Sequence, residues 1–222
     1  MSGADPATPS VWRSGLRLAG VAALAVLLLG GLHRLGAPRI AAQAREAERD
    51  ALSVVLPSAE HDNDLLADQV SVHAPHWLGS AAPLRAWRAR RADAPRALLL
   101  EAVAPDGYGG PIRLLIGVRA DGRISGVRVL EHRETPGLGD IIDAHQSRWI
   151  DTLRGRRLGD PPAQRWTVRR DGGEFDQVAG ATVTPRAVLL AVRRALAYVE
   201  RHGAQLYAAP SGSTLEHDDA PG

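Results

Sequence analysis

The sequence predicts one membrane-spanning helix followed by a single mixed α+β domain, in which an antiparallel sheet carries packed helices. Three features predict it: a nearly charge-free apolar stretch close to the N-terminus, a run of strand-like segments separated by Gly- and Asp-rich turns from Arg96 onward, and an amphipathic helix ending near Gly203. The 222 residues suffice for one sizeable domain beside an anchor.

Leu16–Leu32 reads LRLAGVAALAVLLLGGL, with Arg17 its only charge. Its uninterrupted part, Leu18–Leu32, falls slightly short of the ~20 residues that cross a bilayer core, but Arg17, His33 and Arg34 can snorkel at its ends. A cleaved signal peptide would have a shorter apolar region and a small-x-small site, whereas Arg34 and Arg39 follow here. A buried core helix would show a polar face, and this stretch is apolar all round. Residues 15–36 are therefore read as an uncleaved transmembrane helix, with Trp12 at the interface and residues 1–14 as a tail before it. Arginines alone do not set its direction, because Arg13 and Arg17 precede it while Arg34, Arg39 and Arg45 follow.

Residues 37–95 are read as a juxtamembrane helix and a variable segment. Ala41–Leu56 has strong helix propensity and closes at Pro57, and residues 58–95 show no clear period and read as short elements only. Residues 96–205 form the folded domain. Ala97–Val103 and Ile112–Val118 read as strands joined by the turn-rich link Asp106–Gly110. Ala120-Asp121-Gly122-Arg123 is a hairpin signal leading into Ile124–Glu131, where Ile124, Val127 and Val129 mark a strand. Asp140 is positioned to cap a helix carrying Ile141, Ile142, Trp149 and Leu153. Arg165–Arg169 alternates as a short strand before the turn Asp171-Gly172-Gly173.

The last helix is the clearest element. Thr184 reads as its N-cap and Pro185 as its first position. Val188, Val192, Ala195 and Val199 fall on one face, Arg186, Arg193 and Arg201 lie away from it, and Gly203 ends it. Residues 206–222 read as a disordered tail.

Composition narrows the function. There is no cysteine, which excludes disulfides, thiolate-held iron–sulfur clusters and a cysteine nucleophile. The 27 basic residues, all arginine, are interspersed with 25 acidic ones, so no basic stripe marks a nucleic-acid surface. His73 and His76 have a loose ligand spacing, but they sit in the variable segment and read as surface histidines, so no metal site is expected. A redox role would therefore rest on a bound organic cofactor.

Two segments carry candidate chemistry: Glu134-Thr135-Pro136-Gly137-Leu138-Gly139-Asp140, and Asp176-Gln177-Val178-Ala179-Gly180-Ala181-Thr182-Val183-Thr184-Pro185. The second puts the Thr182 hydroxyl just ahead of a helix N-terminus, whose unpaired N–H groups and partial positive charge suit a phosphate. Gly180 and Ala181 leave room for a bulky group to approach it. In the first segment Pro136, Gly137 and Gly139 read as a Pro-Gly turn before a helix capped by Asp140, with Leu138 offering an apolar contact and Glu134 and Thr135 polar ones.

ETPGLGD followed about forty residues later by D-x-x-x-G-A-T-x-T-P closely resembles the FMN-binding domain of the G subunit of the Rnf electron-transport complex. The resemblance extends through Ala104–Ile112, Gly117–His132, Trp149 and Asp171–Val188, and covers most of Arg96–Tyr198 together with the single N-terminal anchor. It implies that Thr182 carries FMN through a phosphoester, installed by a separate flavin transferase from FAD, with Asp176 as the leading acid of the motif. Glu134, Thr135, Gly137, Leu138, Gly139, Gly180, Ala181 and Thr184 are the remaining expected cofactor-binding residues. Ala179 departs from the Ser or Thr usual in the family, which removes one hydroxyl but leaves the acceptor intact.

The same resemblance implies a single-pass protein of the bacterial inner membrane with its FMN domain on the periplasmic side. It would work beside other subunits in moving electrons between NADH and ferredoxin, coupled to ion translocation. The flavin would do the redox chemistry, so no catalytic side chain is expected. A C subunit of a sodium-pumping NADH:quinone oxidoreductase and a membrane-anchored FMN sensor are the alternatives. No glycine-rich strand-to-helix turn for NADH is present, so the chain is not expected to oxidise NADH alone.

Overall fold

The computed structural model describes residues 9–177, 180–217 and 219. It divides into two compact units, Met1–Glu48 and Arg49–Gly222. The first unit is formed by helix α1 (Pro9–Val55), whose last turns belong to the second. Within α1, Trp12–Gly30 is long and apolar enough to cross a membrane, and none of it is buried.

The second unit is built on a six-stranded sheet: β1 (Gln69–His73), β2 (Leu84–Arg91), β3 (Ala94–Ala104), β4 (Ile112–Arg119), β5 (Ile124–Glu131) and β6 (Thr214–Glu216). Their order is β5-β4-β3-β2-β1-β6. Neighbours pair antiparallel except β1 and β6, which run parallel. The three expected strands, β3 to β5, form with only small changes in length. Residues 120–123 turn the chain between β4 and β5 as their Asp-Gly pattern requires.

Alternation along β3 explains how the sheet is covered on both faces. Leu98, Leu100, Ala102 and Ala104 enter the larger core, with Leu114 and Ile116 of β4 and with Val188, Leu189, Val192 and Leu196 of helix α3 (Val183–Ala208). Ala97 and Leu99 enter a smaller core on the other face, closed by Leu52, Val55, Leu56 and Leu65. A slot receives Val55. Gly117 and Gly126 are register partners across β4 and β5, and a Cβ on Gly126 would lie 2.9 Å from the Val55 carbonyl oxygen.

The stretch 58–95, expected to hold short elements without a clear period, carries β1, β2 and the short helix α2 (Pro75–Leu78), and several other expectations are corrected. Arginines hide β2 in the sequence: Arg88 is 2% exposed, paired with Asp68 and donating to the Leu206 carbonyl at 3.1 Å. The tail is not structureless, because Thr214–Glu216 forms β6 and α3 runs on to Ala208. Gly203 does not end α3. It lies within the helix, where a Cβ would make only ordinary contacts with Leu98 and Val199 at 3.6 Å.

The helix expected after Asp140 is instead two 3₁₀ turns, Gly139–Ile142 and Trp149–Leu153. Asp143 breaks it by accepting the His145 N–H at 2.9 Å, and Ser147 does the same for Trp149 at 3.0 Å. Such local bonds compete with helical ones. Arg165–Arg169 is not a strand. It lies between two further 3₁₀ turns, and only Val168 makes a bridge, to Phe175.

Candidate functional site

Three segments converge beyond one end of the sheet: the β3–β4 link, the turn after β5, and the start of α3. Glu134 joins them. Its side chain is buried, with Oε1 accepting the Gly109 N–H at 3.0 Å and Oε2 accepting the Thr184 hydroxyl at 2.5 Å. The surrounding chain is fitted to that carboxylate. A Cβ on Gly139 would lie 2.5 Å from Oε2, and one on Gly107 would lie 2.8 Å from Oε1. A buried carboxylate left unbonded would be costly, so the paired donors hold the three segments in register.

This arrangement corrects the expected role of Thr184, which does not cap α3. The helix begins at Val183 with Thr182 in the capping position, and no side chain makes a cap bond there. Thr184 lies inside the first turn, 1% exposed, with its hydroxyl committed to Glu134.

Beside this junction lies a cleft of about 310 Å³. Glu134, Thr135, Leu138 and Gly139 contribute to its lining from the turn after β5, and Gly180, Ala181 and Thr184 from around the start of α3. Two residues that sequence reasoning missed complete it, Tyr108 and Val183. Tyr108 is 74% exposed, Leu138 43% and Val183 42%. Beyond α1, the only other exposed large hydrophobic among the described residues is Leu130. Water-exposed apolar side chains gathered at one cleft mark a binding surface. An aromatic standing in an otherwise Gly-rich link was the available signal for Tyr108.

Gly137, Asp176 and Thr182 lie outside this lining. Gly137 turns the chain at φ +78°, a conformation that disfavours other residues. Asp176 is exposed and ion-paired with Arg169 at 3.0 Å, while its backbone oxygen accepts the Trp149 indole N–H at 2.6 Å. Thr182 is half-buried, and its hydroxyl makes no hydrogen bond to any described residue. Gly180 adopts φ +85°, a conformation that disfavours other residues. Val178 and Ala179 lie outside the described residues, and with them the departure at Ala179.

The first turn of α3 holds no acidic side chain. Its unpaired N–H groups and dipole favour an anion near Thr182, with the Glu134 carboxylate, bonded to Thr184 in that turn, as a negative neighbour. Arg186, one turn on, is held by Asp171 at 2.6 Å. An apolar slot, an uncommitted hydroxyl and a helix N-terminus together fit a flat ring that bears a phosphate. The site suits FMN. A larger groove of about 480 Å³ at the far end of α3, around Leu196, Gly203 and Tyr207, offers neither a threonine hydroxyl nor a helix N-terminus.

Residues 107–197 match the FMN-binding domain family, and residues 1–55 match the RnfG N-terminal region. The chain is 47% identical over 199 residues to the G subunit of an ion-translocating oxidoreductase complex from Pseudomonas aeruginosa, covering 90% of this chain and 93% of that one. The G subunit of the same description from Vibrio cholerae serotype O1 is 41% identical over 91% of this chain and 96% of its own. That from Shewanella baltica is 37% identical over 93% and 97%. Similarity of this extent covers anchor and domain together, and the chain belongs to the family of ion-translocating oxidoreductase complex G subunits.

Proposed function

We propose that the cleft holds FMN, tethered by a phosphoester to Thr182, and that the chain carries electrons within a membrane-bound, Rnf-type ion-translocating complex. The observation that carries this reading is the clustering of exposed Tyr108, Leu138 and Val183 around one cleft, close in sequence to a threonine hydroxyl without a partner. Leu138 and Val183 would exclude water from the ring. Thr135 and the backbone of its turn offer the polar contacts that orient it, and the start of α3 receives the phosphate.

When bound, FMN supplies the electron-transfer chemistry, and the protein sets its position and surroundings. Attachment needs a separate flavin transferase acting on FAD. The bond from Thr182 Oγ to the FMN phosphorus forms as the pyrophosphate bond breaks. AMP leaves with the bridging oxygen, and the hydroxyl proton passes to a base of the transferase. In the complex the domain would stand on the periplasmic side, anchored by the apolar part of α1, and would relay electrons between NADH and ferredoxin with coupled ion movement.

Intact mass of the full chain, produced with and without a flavin transferase, tests the tether. The reading expects the mass to rise by one FMN, less water, only when the transferase is present. An unchanged mass in both preparations would overturn it.

A further inference from the structure

The link between β3 and β4 combines a closely fitted backbone with an aromatic side chain left in solvent. Gly109 donates to Glu134 Oε1 at 3.0 Å, and any side chain on Gly109 would collide with the Arg133 carbonyl oxygen. Gly107 is confined equally, between the Gly110 carbonyl oxygen, Glu134 Oε1 and Ile112 Cδ1. A second bond, from the Gly110 N–H to the Gly107 oxygen at 3.3 Å, closes the turn. Tyr108 stands between these two fitted glycines. It lines the cleft, is 74% exposed, and has no hydrogen bond or ring contact among the described residues. Exposing a tyrosine ring gives up the stabilisation that its burial would supply, and nothing in the fold of this unit recovers it.

We infer that Tyr108 is a ring-facing residue of the cofactor cleft, held in place through Gly109 and Glu134, and that it shields the isoalloxazine of a bound FMN from solvent opposite Leu138 and Val183. This inference rests on the reading of the cleft as an FMN site. The chemistry is offset stacking of a phenol on a flat, electron-poor ring, the geometry that aromatic pairs favour. Glu134 acts here as a positioning residue. Its bond to Gly109 fixes the link that bears Tyr108, while its bond to Thr184 fixes the start of α3, so one carboxylate sets the separation between the two walls.

The test uses the full chain in detergent, produced with a flavin transferase, and reads the attached flavin by fluorescence and by iodide quenching. A tyrosine stacked on a flavin quenches its emission and blocks a small anion from its face. Tyr108→Ala should keep the flavin at wild-type stoichiometry, raise emission per flavin several-fold and increase iodide accessibility. Tyr108→Phe should retain the shielding. Gly109→Ala, which leaves Tyr108 intact but displaces its link, should reproduce the loss of shielding. Glu134→Ala should do likewise and Glu134→Gln should restore it, because an amide can accept from Gly109 and donate to the Thr184 oxygen. Leu206→Ala, a core truncation far along α3, should lower stability with no change in iodide access. Flavin that is attached but equally shielded in wild type and Tyr108→Ala would overturn the inference and leave the cofactor reading standing. A wild-type chain with no flavin would overturn both.

Discussion

Replacing Thr184 by valine isolates the junction on which the cleft depends. Valine keeps the shape of the side chain and removes only the hydroxyl, which donates to Glu134 Oε2 at 2.5 Å in a site where Thr184 is 1% exposed. Hydrogen bonds to charged acceptors contribute about 1.5–3 kcal/mol, and here the loss also leaves a buried carboxylate oxygen without that donor. A destabilisation of about 2 kcal/mol is therefore expected. For a folded unit of this size each kcal/mol moves Tm by roughly 2–4 °C, which gives a fall of about 4–8 °C. Thermal unfolding of the full chain in detergent, followed by circular dichroism, would measure it. A cycle with Glu134→Ala should show coupling between the two positions of at least ~0.5 kcal/mol. A Tm unchanged in Thr184→Val, or strictly additive effects in the cycle, would refute the account of Glu134 as the joint of the site.

Further outcomes follow from other packed positions. Gly126→Val should destabilise by about 1–3 kcal/mol, because its Cβ would lie 3.0 Å from the Val55 Cα, and chemical denaturation would show it. Burial, reinforced by the nearby His202, lowers the pKa of His217, which bonds Tyr198 at 2.8 Å and Gln205 at 2.8 Å. The unfolded chain then binds the extra proton more readily, so this contribution to stability is complete above the ordinary histidine value of 6.5 and is lost as pH falls below it. Comparing Tm at pH 8 and pH 5.5, in wild type and in His217→Gln, should show a smaller acid loss in the variant. A reporter fused after Gly222 should be active only outside the cytoplasm, and cytoplasmic activity would contradict the proposed orientation.

The central strands are legible in the sequence because β3, β4 and β5 are apolar segments separated by Gly- and Asp-rich turns, patterns that depend only on neighbours in the chain. The strand β2 is not. Its Arg88 is buried by pairing with Asp68 and with carbonyl groups at the end of α3, partners 20 to 121 residues away. No local pattern records such a partnership. The same holds for β6, three residues long and dependent on β1 for its pairing.

At the site, the two motif segments named seven residues that line one cleft, yet their work differs in detail. Glu134, expected to touch the cofactor, is bonded to Gly109 and Thr184. Gly139, expected to give a ring close access, also makes room for that carboxylate. Thr182 takes the capping position that a Thr-Pro pattern assigns to Thr184, and Thr184 moves into the first turn, because α3 starts ahead of where Pro185 alone would place it. Tyr108 could be suspected from its setting among glycines, whereas the exposure of Val183 follows only from how α3 is seated.

The most direct measurement of the central claim is in-gel flavin fluorescence of the denatured full chain after production with a flavin transferase. Wild type and Thr184→Val should both fluoresce. Thr182→Val should fold, because its half-buried hydroxyl bonds no described residue, and should be dark. Persistent fluorescence in Thr182→Val would contradict the claim, and a dark Thr184→Val beside it would move the tether to the other threonine.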